Sequence, residues 1–410
     1  MTGMTPHCQG CGAPLTRTLV DLGSMPLANS FVKPDCRDAE PVYPLHARVC
    51  DACLLVQVDS VVPPGEIFSD YLYFSSYSDS WLAHARVYAA MAIERFALDR
   101  TSMVIEIASN DGYLLTNFVA AGIPCLGIEP AANVAKAAIA KGVPTEIAFF
   151  GADTARRLAA QGRKADLLAA KNVLAHVPDI NDFVAGIALL LKPEGVFTVE
   201  FPHVMNLIAQ VQFDTIYHEH FTYLSLLAIE RVFARHGLRV FDVEEIPTHG
   251  GSLRVFVCHQ ASARTEQPGA AAVRAKEVQA RLDRPDGYAG FAEKVYRVRR
   301  DLLAFLDTAH AEGRTVAAYG AAAKGNTLLN YCGVSAGRIA FVADRSTAKQ
   351  GLLLPGSRIP VRAPEAIFAA KPDYVLVLPW NLLGEVSEQL SGIAAWGGRL
   401  VTAIPRLQVH

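Results

Sequence analysis

No run of about 18 consecutive apolar residues, the length an α-helix needs to cross a bilayer, occurs in the chain; the nearest approach, around Ile187–Leu191, stops at Lys192-Pro193. A membrane span is therefore not expected. Basic blocks are also lacking: 38 lysines and arginines stand against 40 aspartates and glutamates, a formal charge of −2. That balance disfavours a nucleic-acid reader, which needs clustered positive charge to displace counterions from phosphates. The segment Met1 to Gly12 has no charged region followed by an apolar one, so secretion is not expected and a reducing cytoplasm is. Low-complexity tracts and clear internal repeats are missing too. Charged residues make up only 19% against 51% apolar, which excludes disorder as the dominant state. A chain of 410 residues with that composition is expected to fold as two or three domains.

Eight cysteines are unevenly placed, and four form two pairs with two-residue spacing, Cys8-Gln-Gly-Cys11 and Cys50-Asp-Ala-Cys53. Each tight turn aims two thiolates at one ion, and two turns complete a tetrahedral four-sulfur shell for one Zn²⁺. Four protein ligands leave no open coordination position, so the expected role is structural. Cys125, Cys258 and Cys332 sit in apolar runs and read as core thiols.

Pro63-Pro64-Gly65 breaks the chain before an aromatic and hydroxyl cluster containing Tyr71, Tyr73, Ser75 and Ser76, which reads equally as linker packing or as one wall of a site. A helix is expected from Trp81 to Leu98. From Met103 the pattern becomes α/β: an apolar strand ending at Ala108, a polar turn Ser109-Asn110-Asp111-Gly112, a helix from Tyr113 to Ala121, and a second strand Cys125–Ile128 closed by Glu129-Pro130. An acidic residue at the end of the second strand, about 20 residues after the first loop, suits the ribose hydroxyls of a nucleotide cofactor. The full GxGxxG pyrophosphate loop is absent, since only Gly112 stands in the turn. S-adenosylmethionine (SAM) has no pyrophosphate, so Glu106, Ala108, Asn110, Asp111, Gly112, Glu129 and Pro130 fit SAM better than NAD. Asn172 and His176 follow a third strand, at the face where such sheets bind ligands. Leu238–Glu244 and Thr248–Phe256 are expected to close the sheet as an antiparallel pair, with His249-Gly250-Gly251 permitting close backbone approach.

A charged, alanine-rich helical stretch, interrupted by the turn-like Pro268-Gly269, carries the chain past a boundary near residue 260. A second strand and helix alternation then begins at Thr315. Lys324 follows a strand and turn at a helix start, where it reads either as a phosphate ligand or as an ordinary exposed lysine; Arg254 has the same two readings. The densest polar segment is Asp214 to Ser225, with Tyr217, His218, Glu219 and His220 in consecutive positions. Histidine titrates near neutrality and serves as a base beside a phenol, which favours proton transfer over a second metal or a structural network.

Together these residues resemble the bacterial sugar C-methyltransferases that act on nucleotide-linked keto-deoxysugars. The resemblance spans essentially the whole chain. It rests on the two cysteine pairs, Glu-Ile-x-x-Asn-Asp-Gly at 106 to 112, Glu129-Pro130, Asn172 with His176, Tyr217-His218-Glu219-His220-Phe221, His249-Gly250-Gly251, and Tyr319-Gly320-Ala-x-x-Lys324. It implies an α/β protein with a Cys₄ zinc domain over residues 1–68, a class I SAM methyltransferase Rossmann-like sheet over 69–260, and a second Rossmann-like domain over 261–410 that holds the nucleotide sugar. It also implies SAM and one structural Zn²⁺ as cofactors and a dTDP-linked 4-keto-sugar, methylated at C3 through an enolate, as substrate. In that scheme His220 is the base and Tyr217 orients it or shuttles the proton, while Glu219 holds the imidazole or a sugar hydroxyl. Asn172 and His176 donate to the enolate oxygen; Tyr71, Tyr73, Ser75, Ser76, His249, Arg254 and Lys324 contact the substrate.

Three rival readings stay open at this level. An O-methyltransferase acting on a sugar or small molecule also needs a base. A zinc-ribbon RNA-binding module or RNA methyltransferase is disfavoured by the charge balance, and a NAD-dependent dehydratase or epimerase by the missing dinucleotide fingerprint. Oligomeric state, monomer or dimer, is open.

Overall fold

The computed structural model describes residues 5–59, 62, 75–77 and 79–410. Tyr71 and Tyr73 lie outside the described residues, as does the 68/69 boundary. The chain forms two compact units, one of Met1–Leu15, Cys50–His203 and Phe221–Arg284, the other of Thr16–Val49, Val204–His220 and Pro285–His410.

The first unit is built on a seven-stranded sheet. Its order is Leu238–Ile246, Ser252–His259, Leu191–Pro202, Ala165–Lys171, Val104–Ile107, Cys125–Ile128, Thr145–Glu146. The five strands from Leu191–Pro202 to Thr145–Glu146 run parallel, and Ser252–His259 pairs antiparallel with both of its neighbours. The central strands are buried at every position but the half-buried Asp166, as expected where helices cover both faces. Asp79–Phe96 packs on the sheet through Ala85, Tyr88, Ala89 and Ala92, spaced at the helical repeat. Chain order reverses between Val104–Ile107 and its neighbour Ala165–Lys171, and the crevice at their carboxyl ends is where such sheets bind ligands.

The first unit continues to Arg284, beyond the expected boundary at 260/261. Pro268-Gly269 opens the helix Pro268–Gln279 instead of interrupting one, because proline at the first helical position loses no intrahelical bond. A Cβ on Gly269 would collide with the Val243 carbonyl, so glycine is what lets this helix lie against Leu238–Ile246. Glu277, fully buried, then accepts from Leu226 N at 2.6 Å and Leu227 N at 2.9 Å and meets His203 Nε2 at 2.6 Å. It thereby satisfies N-terminal amides of Leu226–Arg235, beside the cap that Ser225 provides to Ala228 N.

The second unit carries a six-stranded sheet of order Val361–Arg362, Val342–Ala343, Val316–Tyr319, Tyr374–Val377, Arg399–Thr402, Gln408–Val409, parallel except for the last strand. Its switch point lies between Val316–Tyr319 and Tyr374–Val377. The antiparallel pair Arg17–Met25 and Tyr43–Val49 belongs to this unit, as does the helix Phe291–Ala311, whose buried Phe291, Val295, Val298, Leu302, Leu306 and Ala309 follow a helical stripe.

Candidate functional site

The two cysteine turns meet in the first unit. Cys8, Cys11, Cys50 and Cys53 place their Sγ atoms within 4.8 Å of one another, with Cys8 to Cys53 at 3.5 Å and Cys11 to Cys50 at 3.4 Å. A zinc-sulfur tetrahedron with bonds of about 2.3 Å has sulfurs roughly 3.8 Å apart, so the donor set fits Zn²⁺. The turns are alike: Gly12 and Leu54, each following the second cysteine of its pair, adopt φ of 76° and 63°. Gly12 N donates to Cys8 O at 2.8 Å, and Leu54 N to Cys50 O at 2.9 Å. Arg235 donates to the Gly10 carbonyl and Asn181 Nδ2 to the Gln9 carbonyl at 2.7 Å, tying the first turn to two helices of the same unit.

The strand ends of the first unit gather the expected cofactor residues. Ala108, Asn110 and Asn172 all lie in the left-handed region, with φ of 52°, 50° and 54°. Non-glycine residues stay there only when surroundings over-determine them, and such residues cluster at ligand sites. Here Glu129, 4% exposed, accepts from Asn110 N and Ala131 N, each at 2.9 Å, Asn110 Oδ1 accepts from Ser75 N at 2.9 Å, and Asn172 N donates to Glu200 O at 2.8 Å. Gly112, at φ 78°, packs against Val143 and Ala138 with no room for a side chain. Asp111 is held by Ser76 Oγ and by Lys141 Nζ at 2.8 Å. Pro130 follows Glu129, half-buried.

Two buried oxygens, Oδ1 of Asp111 and Oδ1 of Asn172, are left there without a hydrogen bond, beside the buried Glu106 carboxyl, whose partner is the Tyr113 hydroxyl. The two unpaired oxygens are acceptors. SAM carries an ammonium group, ribose hydroxyls and a sulfonium charge, so an acceptor-lined crevice fits it. Burial pushes the Glu106 carboxyl well above the ordinary range, against the pull of Lys171. Asn172 Nδ2 faces His249 Nε2 at 2.9 Å, and His249 itself adopts φ 55°. His176 closes the short 3₁₀ turn Leu174–His176, half-buried. Arg254 is buried, with Nε on Glu200 Oε1 at 2.7 Å and Nη1 on Glu244 Oε2 at 2.8 Å, so two carboxylates already occupy its guanidinium.

Tyr217, His218, Glu219 and His220 of the polar block belong to the second unit, where they form a turn. Tyr217 Oη lies 2.9 Å from His220 Nε2 with the rings 4.1 Å apart, and His220 Nδ1 lies 3.1 Å from the Thr215 carbonyl. A carbonyl only accepts, so Nδ1 carries the hydrogen and Nε2 is the basic nitrogen of the neutral ring, receiving the Tyr217 hydroxyl. Glu219 takes both hydrogens' worth of contact from Asn29 Nδ2, at 2.8 and 3.0 Å, and burial raises its carboxyl above the ordinary range. His218 reaches the Tyr43 carbonyl at 3.2 Å.

Lys324 is half-buried at the switch point of the second sheet, with Nζ 2.7 Å from Asn381 Oδ1 and 4.7 Å above the Trp380 ring. It is therefore not the ordinary exposed lysine. The Trp380 indole donates to Asp214 Oδ2 at 2.8 Å, while Asp214 Oδ1 is buried without a hydrogen bond. Burial pushes the Asp214 carboxyl up to about 6 and the Lys324 ammonium down, each partly offset by the other's charge. Sequence reasoning missed Trp380 and Lys141, which have no motif to announce them. It placed Asp214 in the polar block but gave it no role.

Three family models match in chain order: "Putative zinc binding domain" over residues 8–68, "Methyltransferase domain" over 81–243, and "C-methyltransferase C-terminal domain" over 247–405. The C-methyltransferase NovU of Streptomyces niveus is 37% identical over 404 residues, covering 98% of this chain and 96% of that one. The ubiquinone biosynthesis O-methyltransferase of Bartonella bacilliformis is 27% identical over 97 residues, 23% of this chain and 39% of that one. Among solved structures, the magnesium protoporphyrin IX methyltransferase of Synechocystis with bound SAH aligns with a TM-score of 0.36 at 14% identity, over 47% of this chain and 91% of that one.

Proposed function

This chain belongs to the SAM-dependent C-methyltransferases that carry an N-terminal zinc-binding domain, and on that premise we propose that its acceptor is a nucleotide-linked keto-deoxysugar, methylated at the carbon next to the ketone. The C3 carbon of a dTDP-linked 4-keto-sugar is the specific assignment. The observation that carries it is the Tyr217–His220 pair, with Nε2 as the basic nitrogen. Carbon becomes a nucleophile towards a methyl group only after losing a proton. A C–H next to a ketone is acidic enough to lose one to a positioned base if the resulting oxyanion is stabilised.

His220 takes the α-proton, directly or through the Tyr217 hydroxyl, and the electron pair of the C–H bond moves into the enolate. SAM supplies the electrophilic methyl group to that carbon and leaves as S-adenosylhomocysteine (SAH). Glu106, Asn110, Asp111 and Glu129 hold SAM through its hydroxyl and cationic groups, with Ala108, Gly112 and Pro130 shaping the turns and Asn172 offering Oδ1. His176 donates to the enolate oxygen, and Glu219, kept in place by Asn29, holds a sugar hydroxyl. Ser75, Ser76 and His249 contact the acceptor. Lys324, a cation at a sheet switch point, takes the diphosphate. Arg254 is left out of this set, because Glu200 and Glu244 hold it. Zn²⁺ stabilises the Cys₄ turns and takes no part in the reaction. A cytoplasmic location accords with thiols kept reduced for metal; no helix among the described residues is long and apolar enough to cross a membrane.

The test is incubation with dTDP-linked 4-keto-sugars in deuterated water without SAM, followed by NMR of the recovered sugar. Deuterium at C3 and, with SAM added, a new C-methyl signal at the same carbon are expected. A product methylated on oxygen, without carbon exchange, would establish the O-methyltransferase reading instead.

A further inference from the structure

The helix Asp79–Phe96 brings to the cofactor face of the first unit a titratable side chain with no role so far. His84 Nε2 lies 2.8 Å from Glu200 Oε2, and its ring stacks on the Trp81 indole, with centroids 4.9 Å apart and planes 17° apart. Trp81 in turn lies 6.1 Å from the ring of Tyr113, the residue after the Gly112 turn, and 5.5 Å from His249. His249 is the partner of Asn172. His84 thus stands in the wall formed by the cofactor turn, Asn172 and His249.

Its chemistry is set by Glu200. Lys171 and Arg254 both close on Glu200 Oε1, leaving Oε2 for the imidazole. Burial opposes ionisation of Glu200, yet Lys171, the His84 hydrogen bond and Arg254 together hold its carboxyl well below the usual range. An ionised carboxylate only accepts, so His84 Nε2 carries a hydrogen and Nδ1 is the nitrogen left over. Among the described residues Nδ1 has no hydrogen-bond partner. A carboxylate that fixes one nitrogen of an imidazole and leaves the other available is the arrangement that orients histidines for proton chemistry. Stability does not explain it well. Side chains of Lys171, Glu200 and Arg254 are 2%, 2% and 7% exposed, and buried ionic groups of this kind are often no more stable than apolar replacements.

The enolate oxygen can take a further donor. Asn172 Nδ2 has two hydrogens and faces His249 with one, so the other N–H of Asn172 and His176 are the donors assigned to that oxygen so far. We propose that His84 is a further catalytic residue of the methyltransferase, whose Nδ1–H hydrogen-bonds the acceptor's carbonyl oxygen as the enolate forms. This rests on the keto acceptor proposed above. In the step, the α C–H bond breaks and its proton goes to the base. The electron pair forms the carbon–carbon double bond, and the carbonyl π pair settles on oxygen, where the Nδ1–H of the doubly protonated ring, oriented by Glu200, stabilises it.

The experiment compares wild type, His84→Phe and His84→Gln. Phenylalanine keeps a ring against Trp81 without nitrogens, and glutamine restores an amide donor. Each protein is assayed for α-deuterium exchange into a dTDP-linked 4-keto-sugar without SAM, for methyl transfer, for SAH affinity by calorimetry and for bound zinc. Exchange and kcat in His84→Phe are expected to fall about 10²- to 10³-fold, with zinc content and SAH affinity within threefold of wild type and partial recovery in His84→Gln. The proposal is overturned if His84→Phe exchanges within threefold of wild type, or if its losses merely track weakened SAH binding and a lowered melting temperature, the mark of a structural role. A wild-type enzyme that exchanges no α-proton would instead remove the keto-acceptor reading, and this proposal with it.

Discussion

Tyr217 Oη and His220 Nε2 stand 2.9 Å apart, with the opposite edge of the imidazole fixed by the Thr215 carbonyl. The phenol thus sits on the one nitrogen able to accept a proton. His220→Ala is expected to bind SAH normally while losing both methyl transfer and α-deuterium exchange. Tyr217→Phe, which removes only the hydroxyl, should lower kcat by about 10²-fold with SAH affinity unchanged. Exchange retained in a folded His220→Ala would remove His220 as the base.

Glu129 organises the cofactor turn through two backbone amides. Its replacement by alanine removes the acceptor that holds Asn110 N and, in the proposed SAM site, an acceptor for ribose. Losing a charged hydrogen-bond partner costs about 1.5–3 kcal/mol, so SAH should bind roughly 10- to 100-fold more weakly by calorimetry. Zinc content should not change.

The zinc prediction separates structure from chemistry. Cys50→Ser should lose the ion in native mass spectrometry and lower the melting temperature of the protein, because metal-binding free energy is folding free energy in such turns. Whatever fraction stays folded should keep its SAH affinity, since none of the cofactor residues belongs to the cysteine turns.

Asp214 predicts a pH dependence. Burial raises its carboxyl to about 6 in the folded protein, against about 3.9 when unfolded. A raised acidic group leaves stability intact below the unfolded value and withdraws it as pH climbs through the folded one, here about 2–3 kcal/mol. Asp214→Asn keeps an acceptor for Trp380 but cannot ionise. Its melting temperature should rise relative to wild type between pH 4.5 and pH 7.5; Glu106 and Glu219, also raised, are common to both proteins and cancel in the comparison. A difference independent of pH would show that Asp214 does not titrate in this range.

Much of the fold was legible because its signals are local. Cys125–Ile128 appears as a strand at the bounds expected from its apolar run, and the cysteine spacing announced a cluster that tertiary contacts then assembled. Pro268-Gly269 misled, since the same dipeptide breaks a helix from within and opens one at its first turn. The left-handed residues Asn110 and Asn172 carry no pattern, because their conformation is imposed by hydrogen bonds with Glu129, Ser75 and Glu200.

The sequence by itself determined the residue types and spacings: two CxxC turns for a four-sulfur shell, a SAM-type loop without a pyrophosphate fingerprint, and a phenol three residues before a histidine. Those are properties of neighbours along the chain, where backbone geometry leaves few choices. Tertiary structure alone decided which nitrogen of His220 is basic, that Arg254 is taken up by Glu200 and Glu244, that Lys324 is half-buried above Trp380, and that His84, an unremarked position in a helix, rests on Glu200. The last three depend on burial and on partners between 10 and 116 residues away, and the first on the turn that brings the Thr215 carbonyl back to His220; residue types and spacing alone encode none of them.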